Sequence, residues 1–404
     1  MNHAFDPAAA GAAEHSGPSS LPAPPALRVA IVHYWFINWR GGERVVRELL
    51  EIFPAADVYT HVADPELLRK HLPQVTVHQT FIGRLPWARR FYRLYLPLMP
   101  KALEDLDMQA YDLIISSESG PAKGIIKRPD AVHLCYCHSP MRYIWDQSAA
   151  YRRELGSMRG WLLGWMAPFL RIWDVTSAVR VDRFIANSRF VARRIESYYG
   201  RQSVVVAPPV DLVAGVDVSP AAPSASPYYV VAGELVGYKR VDLAVAVANR
   251  LGRRLVVVGS GEQLSALQAV AGPTVEFTGR VSDPDFRRWL AGARALLFPG
   301  LEDFGIVPVE AMASGTPIIA YARGGACDYL LEGVNGVGFD RQDEDSIIGA
   351  VMRFEAAEAT FEREAISGSV ARFSAARFRA AISALVEAEV ARQTAPVESI
   401  LPRE

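Results

Sequence analysis

The feature that most constrains this chain is an alternation, kept up through two separate stretches, of short β-branched runs with segments of helical periodicity. In the first stretch, residues 28–33, 113–116, 131–136 and 183–186 read as buried strands, and 43–53 and 187–199 as amphipathic helices. In the second, 228–232, 254–259, 275–278, 295–298 and 317–320 read as strands, each followed by a helical pattern. Such alternation produces parallel sheets with helices packed on their faces. The expected class is therefore α/β, as two Rossmann-like doubly wound parallel-sheet domains facing across a cleft.

The 404 residues are too many for one ordinary core and suit two lobes. An Ala/Pro/Ser-rich break over 207–227 is the expected linker. It separates a first lobe, 27–206, from a second, 228–374. Residues 1–26, rich in Ala, Pro, Ser and Gly but without a basic and apolar leader pattern, are expected to be a disordered tail. A helical pattern over 375–393 is expected to pack back across the lobes, and 394–404 to fray.

Composition removes several function classes. The 43 Lys+Arg nearly cancel 44 Asp+Glu, so no global field draws the protein to nucleic acid. Three cysteines give neither a disulfide framework nor zinc-site spacing, which suits a reducing cytoplasm. The apolar run 161–170 is about half of the ~20 residues that span a bilayer. Two Asp-x-Asp strings are accounted for without a metal: Asp283-Pro-Asp285 as a helix start with Asp283 as N-cap and Pro284 at the first position, Asp105-Leu-Asp107 as a solvated turn.

In open α/β sheets ligands bind beyond the carboxyl ends of strands, so residues just after strands are the candidates. Glu302 and Glu310 follow the 295–298 strand. Between them Phe304 and Gly305 make a turn, and a helix is expected to begin near Pro308, so that amides of Ile306 and Val307 form an anion site between two carboxylates. Taken singly, Glu310 could equally complement a helix dipole and Glu302 be a solvated loop acid. Lys239 and Arg240 follow the 228–232 strand, where a diphosphate would need positive charge; a solvated helix start is their plainer role. Gly41 and Gly42, before the first helix, would let backbone amides approach a phosphate or simply make a turn. His138 ends the run Cys135-Tyr-Cys-His-Ser-Pro-Met-Arg-Tyr-Ile-Trp-Asp146 directly after a strand, at the cleft edge.

Glu302-x7-Glu310 with the following Ala311-Met-Ala-Ser-Gly-Thr-Pro-Ile-Ile-Ala resembles the retaining family 4 glycosyltransferases, over a span from Gly41 to about Phe339. That resemblance implies a GT-B fold binding a nucleoside diphosphate-sugar, with no metal or other cofactor. Carried over, Glu302 would hydrogen-bond the donor sugar, Ile306 and Val307 amides would lie near it and the diphosphate, and Glu310 would hold the ribose. Lys239 matches the family's diphosphate lysine, whereas Glu234 stands where the family has an arginine; Arg240 is the candidate to compensate. Thr278-Gly-Arg280-Val281 resembles the base-binding turn. The string around His138 resembles bacterial GDP-mannose-dependent mannosyltransferases, where the matching histidine contacts the donor sugar or its phosphate. Trp145 and Asp146 would shape the acceptor or sugar pocket, with a packing role open for Trp145.

The implied reaction is transfer of a hexose, mannose from GDP-mannose, to a glycan or lipid-linked oligosaccharide acceptor in exopolysaccharide or O-antigen assembly. A nucleotide-sugar 2-epimerase and a non-catalytic nucleotide-sugar-binding subunit are the alternatives. Residues 81–103 carry five Lys/Arg and no acid, with Trp87, Phe91, Tyr95 and Leu98 at helical spacing and Arg89, Arg90 and Arg93 on another face. The segment is expected either to bury that stripe or to make peripheral contact with an anionic membrane.

Overall fold

The computed structural model describes residues 27–212 and 226–394, so the expected tail, most of the linker and the last ten residues lie outside the described residues. The first lobe is a seven-stranded parallel sheet in the order β3-β2-β1-β4-β5-β6-β7, built from β1 (Val29–His33), β2 (Asp57–Thr60), β3 (Val77–Gln79), β4 (Leu113–Glu118), β5 (Val132–Cys137), β6 (Arg183–Ala186) and β7 (Ser203–Val205). The second is a six-stranded parallel sheet in the order β10-β9-β8-β11-β12-β13, from β8 (Tyr229–Ala232), β9 (Leu255–Val258), β10 (Val275–Gly279), β11 (Ala295–Phe298), β12 (Ile318–Tyr321) and β13 (Gly336–Phe339).

All five second-lobe strands and four first-lobe strands expected from the sequence are present. β1, β4 and β5 are buried along their whole length, which is why they read as unbroken apolar runs. β2, β3, β7 and β13 escaped the sequence reading because they are short and half-polar or glycine-bearing, as in Asp57-Val-Tyr-Thr and Val77-His-Gln.

Seven helices matter below: α1 (Gly41–Ile52), α2 (Ser157–Ala178), α3 (Arg189–Tyr199), α4 (Val241–Leu251), α5 (Asp283–Ala291), α6 (Ile306–Ala313) and α7 (Ala375–Thr394). Two starts differ from expectation. α5 is capped by Ser282, whose hydroxyl accepts from Asp285 N, so Asp283 is its first residue. α6 begins at Ile306 after Gly305 at φ 88°, and Pro308 is its third residue, where a missing N–H still costs nothing. A side chain at Gly305 would meet Tyr329 Oη at 2.6 Å, so the turn requires glycine.

α7 returns from the second lobe to the first. Phe378, Ile382 and Val386 enter the first lobe's core beside Ile31, Leu49 and Tyr136, and Arg183 Nε donates to Glu389 at 2.6 Å. The chain thus crosses between the lobes twice. In each sheet the strand order reverses between the first strand and its later neighbour, β1/β4 and β8/β11, and ligand crevices open at such switch points.

Candidate active site at the cleft between the lobes

The second-lobe side is built from the loops after β8 and β11, the two strands at its switch point. Lys239 lies on a one-turn helix after β8, with its ammonium 3.3 Å from Glu302 Oε1 in the loop after β11. Burial works against the lysine's charge, but Glu302, Tyr238 and Glu234 together more than offset it and Lys239 sits above the ordinary lysine value. The free amides that open α6, at Ile306 and Val307, lie one short loop beyond Glu302. A cation and a helix N-terminus therefore converge on one corner, an arrangement that attracts an anion.

The first lobe supplies the opposite wall. Gly41 and Gly42 open α1, and a β-carbon on Gly41 would stand 2.5 Å from Ile306 Cδ1, while one on Gly42 would stand 2.4 Å from Tyr34 Oη. Gly41 lets the start of α1 come up against the Ile306 side chain where α6 begins, and Gly42 leaves room for Tyr34 within the first lobe.

Arginines from the first lobe meet carboxylates beyond it. Arg40 donates to Glu234 at 2.9 Å and Arg44 to Glu310 at 2.8 Å, both from the start of α1, and Arg47 reaches Asp211 of the linker at 3.3 Å. Arg189 at the head of α3 pairs with Asp328 at 2.6 Å. Asp303 is gripped from two sides, by Arg142 and by Arg194 Nη1 at 2.6 Å, and Arg194 also holds Asp146. Burial raises the Glu310 carboxyl above its ordinary value, with Arg44 opposing the shift.

His138 joins a buried polar chain that sequence reading did not find. Its Nε2 shares a hydrogen bond with Ser117 Oγ at 2.8 Å, Ser117 Oγ another with His33 Nδ1 at 3.1 Å, and His33 Nε2 lies 3.7 Å from Glu43 Oε1 at the start of α1. Burial, then the neighbouring His33, lowers His138 to about 3, so its ring is neutral. Polar residues at the ends of apolar strands β1 and β4 were the available signal.

The remaining candidates divide. Trp145 stacks on Tyr198 at 4.6 Å and its indole donates to Asp174 at 2.7 Å, a packing environment. Asp146 is engaged by Arg194 and Phe304 sits in an aromatic cluster with Tyr329 and Phe373. Arg240 is left-handed at φ 51° and pairs with its neighbour Asp242 at 3.0 Å; it is Arg40, from the other lobe, that meets Glu234. Arg280 and Val281 follow β10, the first exposed and the second packed against the second-lobe core. Of the Asp-x-Asp strings, Asp285 pairs with Arg288 at 3.0 Å and Asp105 with Lys101 at 2.6 Å.

Two family models match the chain in succession: Glycosyltransferase Family 4 over residues 39–213 and Glycosyl transferases group 1 over 217–368. The chain belongs to the group 1, family 4 glycosyltransferases. This glycosyltransferase chain is 29% identical over 238 residues, 50% of its own length and 61% of the relative's, to a GDP-mannose-dependent alpha-(1-6)-phosphatidylinositol monomannoside mannosyltransferase of Mycolicibacterium smegmatis. It is 32% identical over 141 residues, 32% of its length, to a glycogen synthase of Pseudomonas paraeruginosa, of which the match spans 27%. With both, the match stays below two thirds of the relative's length. Its GT-B fold superposes on the sucrose-phosphate synthase of Thermosynechococcus elongatus with a TM-score of 0.69 at 18% identity, covering 91% of this chain and all of that one. For the Anabaena protein HepE in complex with UDP and glucose the TM-score is 0.67 at 17% identity, covering 90% and 100%.

Proposed function

We propose that this protein transfers a hexose from a nucleoside diphosphate-sugar, GDP-mannose, to a hydroxyl of a lipid-linked oligosaccharide, with retention of anomeric configuration, in bacterial exopolysaccharide or O-antigen assembly. The observation that carries the proposal is the Lys239–Glu302 pair set at the second lobe's switch point beside the open amides of α6. The mannosyltransferase relative supports the choice of donor; the glycogen synthase relative supports hexosyl transfer alone.

In this reading the bond from the sugar's anomeric carbon to the diphosphate breaks as the acceptor oxygen bonds to that carbon from the same face, and the acceptor's proton passes to the departing phosphate. Charge grows on the diphosphate. Lys239 and the Ile306 and Val307 amides stabilise it, an electrostatic contribution that needs no protein nucleophile and no metal. Glu302 orients sugar hydroxyls. Glu310, whose Oε1 accepts from Arg44, offers Oε2 to the ribose. Neutral His138, held by Ser117, hydrogen-bonds the sugar or its phosphate without adding charge.

A thermal-shift screen against GDP-, UDP- and ADP-sugars, followed by NMR of the product's anomeric signal, tests this. GDP-mannose is expected to give the largest stabilisation and an α-linked product. Stabilisation by UDP-sugars alone would overturn the donor, and a 2-epimerised sugar formed without acceptor would overturn the transferase reading.

A further inference from the structure

We infer that the protein docks on an anionic phospholipid surface through an apolar face shared by α2 and the neighbouring 81–98 segment. α2 runs for 22 residues and carries apolar side chains around most of its circumference. One stripe, Ala167 and Leu170 with Met166 and Trp173 beside them, packs into a sub-core with Ile82, Tyr92 and Met99. The opposite stripe is uncovered: Met158 is 79% exposed, Trp161 66%, Trp165 63%, Phe169 62% and Ile172 65%. A helix that is apolar all round is ordinarily buried, and a contiguous exposed patch of this kind marks an interaction surface.

The 81–98 segment continues the patch. The stripe read there from helical spacing is not the buried one: short turns break the helix, Tyr92 and Leu96 go inward, and Trp87 stands 74% exposed with Leu94 57% exposed. Trp87 also adopts φ 54°, a left-handed conformation costly for a bulky residue, and its ring is turned out rather than into the sub-core below.

The occupant follows from charge and side-chain type. Exposed Arg89, Arg90, Arg152, Arg153 and Arg159 lie on the same two stretches as the apolar side chains, and no Asp or Glu occurs within 81–103 or 158–173, the nearest acids in sequence being Glu104, Glu154 and Asp174. Indoles favour the boundary between headgroups and acyl chains, and arginines favour anionic headgroups. A second copy of this chain would instead bring two sets of arginines together, which is repulsive. Among the described residues no helix is long and apolar enough to cross a membrane, so α2 would lie in the plane of the interface.

Docking this way has a consequence for the cleft. Met141 and Ile144, from the loop after His138, share the sub-core under α2, and Trp145 in that loop is hydrogen-bonded to Asp174 of α2. The lipid surface would meet the back of the loop that carries His138, and a lipid-linked acceptor would arrive at the cleft mouth. That last step rests on the transferase reading; the docking does not.

The test is co-sedimentation of the full chain with vesicles of phosphatidylcholine, with and without phosphatidylglycerol, at rising NaCl. Native protein should bind the phosphatidylglycerol vesicles with a blue shift in tryptophan emission, and release as salt screens the arginines. Trp161→Ser/Trp165→Ser/Phe169→Ser should bind roughly tenfold or more weakly, with melting temperature and GDP affinity unchanged. Arg152→Glu/Arg159→Glu should lose the preference for phosphatidylglycerol. Native protein left in the supernatant, or a triple variant that binds as native does, overturns the docking. So does a native dimer dispersed by the triple substitution without vesicle binding, which would give the face to a second copy. Vesicle binding without any nucleotide binding would uphold the docking and sink the transferase reading.

Discussion

The two lobes share one architecture but organise their polar residues in opposite ways. In the second lobe the candidate groups lie in two short loops, after β8 and after β11, each read from a few consecutive residues. In the first, they are chained through the interior: His33, Ser117 and His138 come from β1, β4 and the loop after β5, and Lys123 is buried with Glu118 and Asp174 beneath them. All eight histidines of the sequence precede Ser139, two of them within residues 1–26 and six in the first lobe, so the second lobe has no imidazole. The contrast suggests that the second lobe is tuned to hold a charged ligand, and the first to keep a wall rigid against it.

The largest expected effect probes that rigidity. Lys123 is fully buried, its ammonium 2.7 Å from Glu118 Oε1, bonded also to Asp174, and held above the ordinary lysine value because those carboxylates more than offset burial. Lys123→Ala would strand two buried carboxyl groups and lower stability by about 3–5 kcal/mol in urea unfolding; a loss below about 1 kcal/mol would show that the first lobe does not depend on its buried network.

Lys239→Ala should act the other way round. Removing one preorganised charge from the leaving-group site lowers kcat by about 10²–10³, or about 2.7–4 kcal/mol, while the melting temperature stays near native. A variant that loses stability but keeps turnover would reverse the assignment of the two lobes.

Acid should strike the first lobe first. Burial lowers His61 and His133 to about 4 and His138 to about 3, so the unfolded chain binds more protons than the native one below the ordinary histidine value. This stability is fully present above about pH 6.5 and falls on acidification towards pH 4, by up to about 1.4 kcal/mol per pH unit for each histidine. Hydrogen exchange at pH 5 should show β4 and β5 opening before β8 and β11; simultaneous opening would count against the contrast.

The smallest effect is at the cleft rim. Arg40 and Glu234 keep 54% and 42% of their side chains exposed, and such pairs contribute about 0–1 kcal/mol. A double-mutant cycle of Arg40→Ala and Glu234→Ala should give a coupling within that range. Arg44 and Glu310 are more buried and should couple more strongly in the same experiment.

Legibility in the sequence followed the same division. The run from Glu302 to Glu310 and Lys239 could be read because a loop and one helical turn hold them, and local spacing carries that information. Arg142 and Arg194, separated from Asp303 by 161 and 109 residues, left no local trace, nor did Ser117 as His138's partner. Long buried strands were plain, while β3 and β7, three residues each at the sheet edges, could not show an alternation. For the 81–103 stripe two outcomes stayed open in the sequence, because periodicity alone does not say which face a broken helix buries.

The central claim, that the corner of Lys239, Glu302 and the α6 amides binds a diphosphate, is tested most directly by calorimetric titration of native protein and Lys239→Ala with GDP, GMP and guanosine. The account predicts that native protein binds GDP more tightly than GMP, and that Lys239→Ala loses about 10- to 100-fold of its GDP affinity, as expected for a charge-assisted contact of about 1.5–3 kcal/mol, with guanosine binding unchanged. Equal GDP affinity in the two proteins would contradict it.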